Sequence, residues 1–171
     1  RMLVPDREVP GAYFVRIDGT DQSFVDPSDP LRLEFDYVQR IAEVIDTIAP
    51  EGDRIRAVHV GGAGMTLPRY IAATRPTSAQ IVFEPDVQTT EQIRAIVPLP
   101  KRSGIKVRPV DGRTGLAAMP SGHADIVIVD ARRFDEYRTM SIPSAISVPG
   151  AELVLRVPAL APDPTTRVIV N

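Results

Sequence analysis

A chain of 171 residues, 43% of them hydrophobic and 25% charged, can bury one sizeable core, and a single domain is expected. Its 20 basic and 22 acidic side chains give a net charge of -2 with no long block of either sign, which excludes the electrostatic footprint of a nucleic-acid or anionic-lipid binder. The absence of cysteine excludes disulfides, thiolate zinc sites and any cysteine nucleophile.

The N-terminal stretch "RMLVPDREVPG" has no signal-peptide core, and no apolar run reaches the roughly 18 residues of a membrane span. A soluble, cytoplasmic protein is therefore expected. In "GAYFVRIDGTDQSFVDPSDP", Tyr13, Val15 and Ile17 alternate on one face, Asp18 and Gly19 form a turn signal, and the pattern resumes toward Phe24 and Val25. This spacing predicts a β-hairpin, ended by the prolines of Asp-Pro-Ser-Asp-Pro. In "LEFDYVQRIAEVIDTIA", Phe35, Val38, Ile41, Ala42, Ile45 and Ile48 recur at steps of three and four, which predicts an amphipathic helix closed by Pro50 and Gly52.

From residue 55 the short apolar runs "IRAVHV", "AQIVFE", "IKVRPV" and "ADIVIVD" alternate with helix-like stretches near 66–74, 87–97 and 113–119. Such alternation predicts βαβ units and a parallel sheet covered on both faces. "ELVLRVPALAPDPTTRVIVN" adds a further helix and a last strand. The 17 prolines gather around 27–30, 98–100 and 143–164, so the last third is expected to be loop-rich.

In a doubly wound sheet, ligands bind beyond the carboxyl ends of the strands. "VHV" followed by Gly61, Gly62, Ala63 and Gly64 puts a glycine turn at such an end, before a helix whose N-terminus offers N–H donors. Only the first half of G-x-G-x-x-G is present, because Leu67 occupies the third glycine position. Glu84 ends the next strand at about the 20-residue spacing of a carboxylate that takes ribose hydroxyls. The bland alternative is a tight turn followed by a solvated surface acid. Asp111 and Asp130 follow the next two strands, so three carboxylates share one rim; acids in such places also cap the following helix.

These residues carry a resemblance. Over about residues 11–131, "RIDGTDQSFVDPSDP", "HVGGAGMTLPRYIAATRP", "IVFEPD" and "VDGRTGLAAMPSGHADIVIVDA" resemble the spermidine synthase-like proteins, polyamine aminopropyltransferases of class I methyltransferase fold. The resemblance implies an α/β, Rossmann-like parallel sheet with an N-terminal β-hairpin, expected here to be C-terminally incomplete. It implies S-adenosylmethionine or decarboxylated S-adenosylmethionine as the nucleoside substrate, with no metal. By matched position, Gln22 and the loop of Gly61, Gly62, Ala63 and Gly64 would approach the donor. Glu84 would hold its ribose, Asp111 and Gly112 would contact its adenine, and Asp130 would take the proton of the attacking amine. An alkylammonium has no lone pair, so that proton must leave before attack on the methylene beside the sulfonium. Ala63 and Met65 stand where the family has glycines, and Arg133 stands where it has a second carboxylate. The implied partners are a small-molecule nucleoside and a polyamine, with a homodimer as the candidate assembly.

From Asp130 onward, "DARRFDEYRTMSIPSAISVPGAELVLRVPALAPDPTTRVIVN" resembles the first half of a rhodanese domain. Without cysteine, persulfide transfer is excluded for this chain. The division expected is a hairpin region at 1–30, a nucleoside-binding core at 31–131, and a rhodanese-like segment at 132–171 that completes the sheet. The alternative function is a non-catalytic rhodanese-like module binding an anion or a protein near 132–150, where Arg132, Arg133 and Arg138 otherwise read as a solvated face. His59 and His123 read as structural, and Ser121, His123 and Asp125 as a turn without a nucleophile elbow.

Overall fold

The computed structural model describes residues 2–17, 19–62, 64–129, 163 and 165–170. The expected helix at the C-terminal "PGAELVLRVPALA" and the "SIPSAISVPG" turn lie outside the described residues. Strands β1 (Met2–Pro5), β2 (Tyr13–Ile17) and β3 (Thr20–Val25) form a three-stranded antiparallel sheet in the order β1-β2-β3. The predicted hairpin is thus the last two strands of a larger sheet. Gly19 supplies the positive φ, 83°, that this tight connection demands. Val15 pairs with Ser23 and Arg16 with Asp21, which leaves Gln22 as the extra residue of a β-bulge.

Helix α1 (Asp36–Ile48) follows the predicted stripe, burying Val38, Ile41, Ala42 and Ile45. The remaining elements are β4 (Arg56–Val60), α2 (Thr66–Thr74), β5 (Ala79–Phe83), α3 (Val87–Ile96), β6 (Ile105–Arg108), α4 (Gly112–Ala117), β7 (Ile126–Val129) and β8 (Arg167–Val170). The five strands from β4 onward form one sheet in the order β6-β5-β4-β7-β8, paired in parallel throughout. The first three strands run outward from β4 on one side and the last two on the other, so the chain reverses direction across the sheet between β4 and β7.

Both faces of this sheet are covered, which is why β4 and β7 read as nearly unbroken apolar runs. Ala57, Ile126 and Ile128 pack beneath α1 and α2 with Ile45, Leu67 and Ile71. Val58, Val60, Val127 and Val129 face the other way, onto Phe83 and Leu116. Alternation along each strand sorts its side chains between these two cores.

Buried polar groups tie the helices to the frame. The fully buried Arg75 guanidinium donates to Ala49 O, to Thr74 Oγ1 at 2.7 Å and to Asp46 Oδ1 at 2.7 Å, joining the ends of α1 and α2. Tyr70 donates to the same Asp46 carboxylate, and burial, helped by that carboxylate, pushes its phenol up to about 12.

Helix α4 lies so close to β5 that a Cβ on Gly115 would come within 2.4 Å of the Phe83 ring. Alanine raises helix propensity by about 1 kcal/mol over glycine, but overpacking a core costs about 1–3 kcal/mol. Gly115→Ala is therefore expected to destabilise the protein in urea denaturation, and a stabilised variant would show that α4 can ride off Phe83.

Candidate functional site

The carboxyl ends of the parallel strands define one rim. At the end of β4 the chain turns with Gly61 at a φ of 89° and enters α2 through Met65 at 59°. The turn is held from beneath. The Gly61 N–H donates to Phe83 O at 2.9 Å, and the Gly62 N–H donates to Glu84 Oε2 at 3.3 Å. A Cβ on Gly62 would sit 2.6 Å from Val82 Cγ1, and one on Gly64 would sit 2.9 Å from Ser23 Oγ. Glycine is thus demanded at 62 by the protein's own interior and at 64 by the close approach of β3. Ala63 lies outside the described residues.

Two amides that would cradle a phosphate in a dinucleotide-binding loop are spent here on the neighbouring strand's end. The loop's geometry is accordingly that of a turn that can lie against an uncharged part of a ligand.

Glu84 is not a solvated surface acid. It is 3% exposed, its N–H continues the ladder to Arg108 O at 3.0 Å, and its Oε1 accepts the Asp86 N–H at 3.0 Å. Capping of α3 falls instead to Asp86, whose carboxylate accepts from Thr89 N at 2.9 Å. At the end of β6, Asp111 does cap a helix. Its Oδ1 accepts from Thr114 N at 3.0 Å and its Oδ2 from the Thr114 hydroxyl at 2.6 Å, and these bonds hold its carboxyl below the usual range. Gly112 is the buried first residue of α4. Asp130 follows the last residue of β7 and lies outside the described residues, as do Arg132, Arg133 and Arg138.

The antiparallel sheet supplies the wall opposite the loop. The bulge places Gln22, 7% exposed, beside the end of β4. Ser23 Oγ lies 3.1 Å from Thr66 Oγ1, and the Thr66 hydroxyl donates to Phe24 O, stitching β3 to the first residue of α2. Together with Tyr37 of α1, which donates to Gln22 O at 3.3 Å, these residues enclose a cleft of about 30 Å³ against Gly61 and Gly62. Sequence reasoning singled out Gln22 but missed Ser23, Thr66 and Tyr37. No local signal marks the Ser23 to Thr66 contact, which joins residues 43 positions apart.

Two buried cations or would-be cations flank the loop. Arg69 donates to Gly64 O at 3.3 Å, Pro98 O at 3.0 Å and Val97 O at 2.7 Å, so it moors the loop to the end of α3; burial pushes its pKa down to about 10. His59, 2% exposed, lies in the wall of the cleft with Nε2 3.0 Å from Gln80 Oε1. Among the described residues, no group of three or more His, Cys, Asp or Glu is arranged to hold a metal, and no helix is long and apolar enough to cross a membrane.

No protein-family model matches the chain, and no curated protein sequence matches it. Among solved structures it is similar to a probable spermidine synthase from Corynebacterium glutamicum, at 26% identity and a TM-score of 0.66, covering 74% of this chain and 46% of that one. It is also similar to a conserved hypothetical protein of Streptococcus pyogenes, at 13% identity and a TM-score of 0.52, covering 75% and 73%. The chain thus spans less than half the length of the Corynebacterium protein. The fold is α/β, Rossmann-like, and of the class I methyltransferase type, preceded by the three-stranded antiparallel sheet. Nothing in these comparisons supports the rhodanese-like resemblance of residues 130–171, whose described strand β8 simply continues the parallel sheet.

Burial, opposed by the hydrogen bond to Gln80, pushes His59 down from 6.5 to about 4. The unfolded chain therefore takes up a proton from about pH 6.5 downward while the folded protein stays neutral until about pH 4. Stability is full above the upper value and falls through this window. Lowering the pH from 7 to 5 is expected to cost about 2 kcal/mol through this group. Urea denaturation at both pH values, compared with His59→Gln, should show the difference vanish in the variant; an equal loss in both proteins would assign it elsewhere.

Proposed function

We propose that the protein binds an adenosyl-sulfonium nucleoside, S-adenosylmethionine or its decarboxylated form, across the rim formed by β4, β5 and β6. The observation that carries this reading is Glu84, a carboxylate buried to 3% exposure at the end of β5 and hydrogen-bonded to Gly62 of the glycine loop. The Gly62 and Asp86 N–H groups fix the plane of this carboxylate. So oriented, it takes the two hydroxyls of a ribose laid against the loop. Asp111 and Gly112, one strand further along, lie beside the adenine, and Gln22 faces the sulfonium end. The core for this task is residues 31–131, with 1–30 as the wall across from the loop. The similarity to a probable spermidine synthase supports the same assignment.

The finer reading is aminopropyl transfer. An amine lone pair would form a C–N bond to the methylene carbon beside the sulfonium. The C–S bond would break with its electron pair going to sulfur, releasing methylthioadenosine. The surplus amine proton would pass to Asp130. Since the sulfonium is already a good leaving group, the protein's part is alignment and proton removal. Arg133 stands where the family's pattern has a second carboxylate, so acceptors with a single amine are the better substrates to test.

Isothermal calorimetry with S-adenosylmethionine, its decarboxylated form and methylthioadenosine checks the binding step. Binding is expected for all three, and Glu84→Ala should weaken it about a hundredfold or more, since two hydrogen bonds to a charged acceptor are lost. Circular dichroism of the variant establishes that it is folded. No heat with any of the three ligands from a folded wild-type protein would overturn the reading.

A further inference from the structure

Away from the glycine loop, the described surface carries two patches of opposite charge, each with an exposed apolar side chain. The first is a groove of about 520 Å³ between α1 and α2, bounded on the α2 side by Tyr70. Leu31 and Leu33 give it an apolar wall, and Glu43, Asp46 and Glu51 line it with carboxylates and no cation. Asp46 is spent on Tyr70 and Arg75, but among the described residues neither Glu43 nor Glu51 has an ion-pair partner. The second patch is the turn from α3 into β6. Between Gln92 and Val110 stand Arg94, Lys101, Arg102, Lys106 and Arg108, all exposed, with no acidic residue among them. Ile96 lies within this stretch. Leu31 at 55% and Ile96 at 52% are the most exposed large hydrophobic side chains among the described residues, one in each patch.

These patches do not meet within one molecule, because α2 stands between them. Arg69 of α2 donates to the carbonyls of Val97 and Pro98, where the basic turn begins, while the next residue, Tyr70, lines the groove and donates to Asp46. Nor does either patch suit its own copy. Two basic turns set face to face repel each other, and Lys106 and Arg108 guard the edge strand β6 against pairing with a second β6. Groove against groove brings carboxylates together in the same way. We propose that the groove between α1 and α2 docks the α3–β6 turn of a second copy of this chain. Leu31 and Leu33 would cover Ile96, and Glu43 and Glu51 would face Arg94 and Lys101. A basic turn alone also suits a polyanion; the exposed Ile96 and the matching acidic groove favour the protein contact. Because the contact joins two different surfaces, each added copy leaves one of each free, and assembly proceeds head to tail. The inference is independent of the nucleoside reading, since neither surface includes Glu84, Asp111 or the glycine loop.

Sedimentation velocity of the full chain over a range of concentrations tests this contact. The expected result is a mass above the monomer that grows with concentration and falls at high salt, where charges at the rim of the contact are screened. Glu43→Lys with Glu51→Lys, and separately Arg94→Glu with Lys101→Glu, should each weaken association about tenfold or more, because attraction becomes repulsion. All four side chains are exposed, and circular dichroism checks that both variants fold. Mixing the two variants should restore association, since one keeps a native turn and the other a native groove. A wild type that stays monomeric, variants that associate as the wild type does, or a mixture that associates no better than its parts would each overturn the proposal. A monomer that instead binds a single-stranded RNA, with binding lost in the Arg94→Glu and Lys101→Glu variant, would assign the basic turn to a polyanion and overturn it likewise.

Discussion

Parallel pairing between β4 and β5 does not end with the last strand residues. Its hydrogen bonds run on through Gly61 to Phe83 O and through Gly62 to the Glu84 carboxylate, while Glu84 itself is laddered to Arg108 at the end of β6. Buried amides must find partners, and at this rim they find them in the next strand over. That constraint decides the path of the glycine loop, the depth of Glu84 and the angle at which α2 departs. Arg69 then holds the far end of the loop to the end of α3 through three main-chain carbonyls.

Most of the frame was legible because it depends on periodicity. The stripe of α1 and the alternation of short apolar runs with helical stretches from residue 55 report burial directly, and the structure has α1, β4 to β8 and α2 to α4 where those patterns fall. What the sequence concealed is non-local. Strand β1 is four residues long, ends in Pro5 and shows no alternation of its own; it is a strand only because β2 offers it an edge. The bulge at Gln22 likewise depends on how Val15 and Arg16 register with β3, which no local pattern encodes.

The site divides along the same line. Spacing after a strand singled out Glu84, and the fold puts it at the end of β5 against the loop, because strand length and helix length together set where the next strand ends. It did not separate Glu84 from Asp111, although one is buried against the loop and the other caps α4 through Thr114. Asp-x-x-Thr at residues 111–114 is a capping pattern, so the difference was available in the sequence to a closer reading. His59 was read as structural, and in the fold it is buried with Nε2 3.0 Å from Gln80 Oε1, in the wall of the cleft.

The glycines of this loop are required by packing within the protein itself. In a phosphate-binding turn, glycine clears space for the ligand and leaves amides free to hold an anion. Here Gly62 clears space for Val82 and Met65, Gly64 clears space for Ser23, and the amides of Gly61 and Gly62 are already taken.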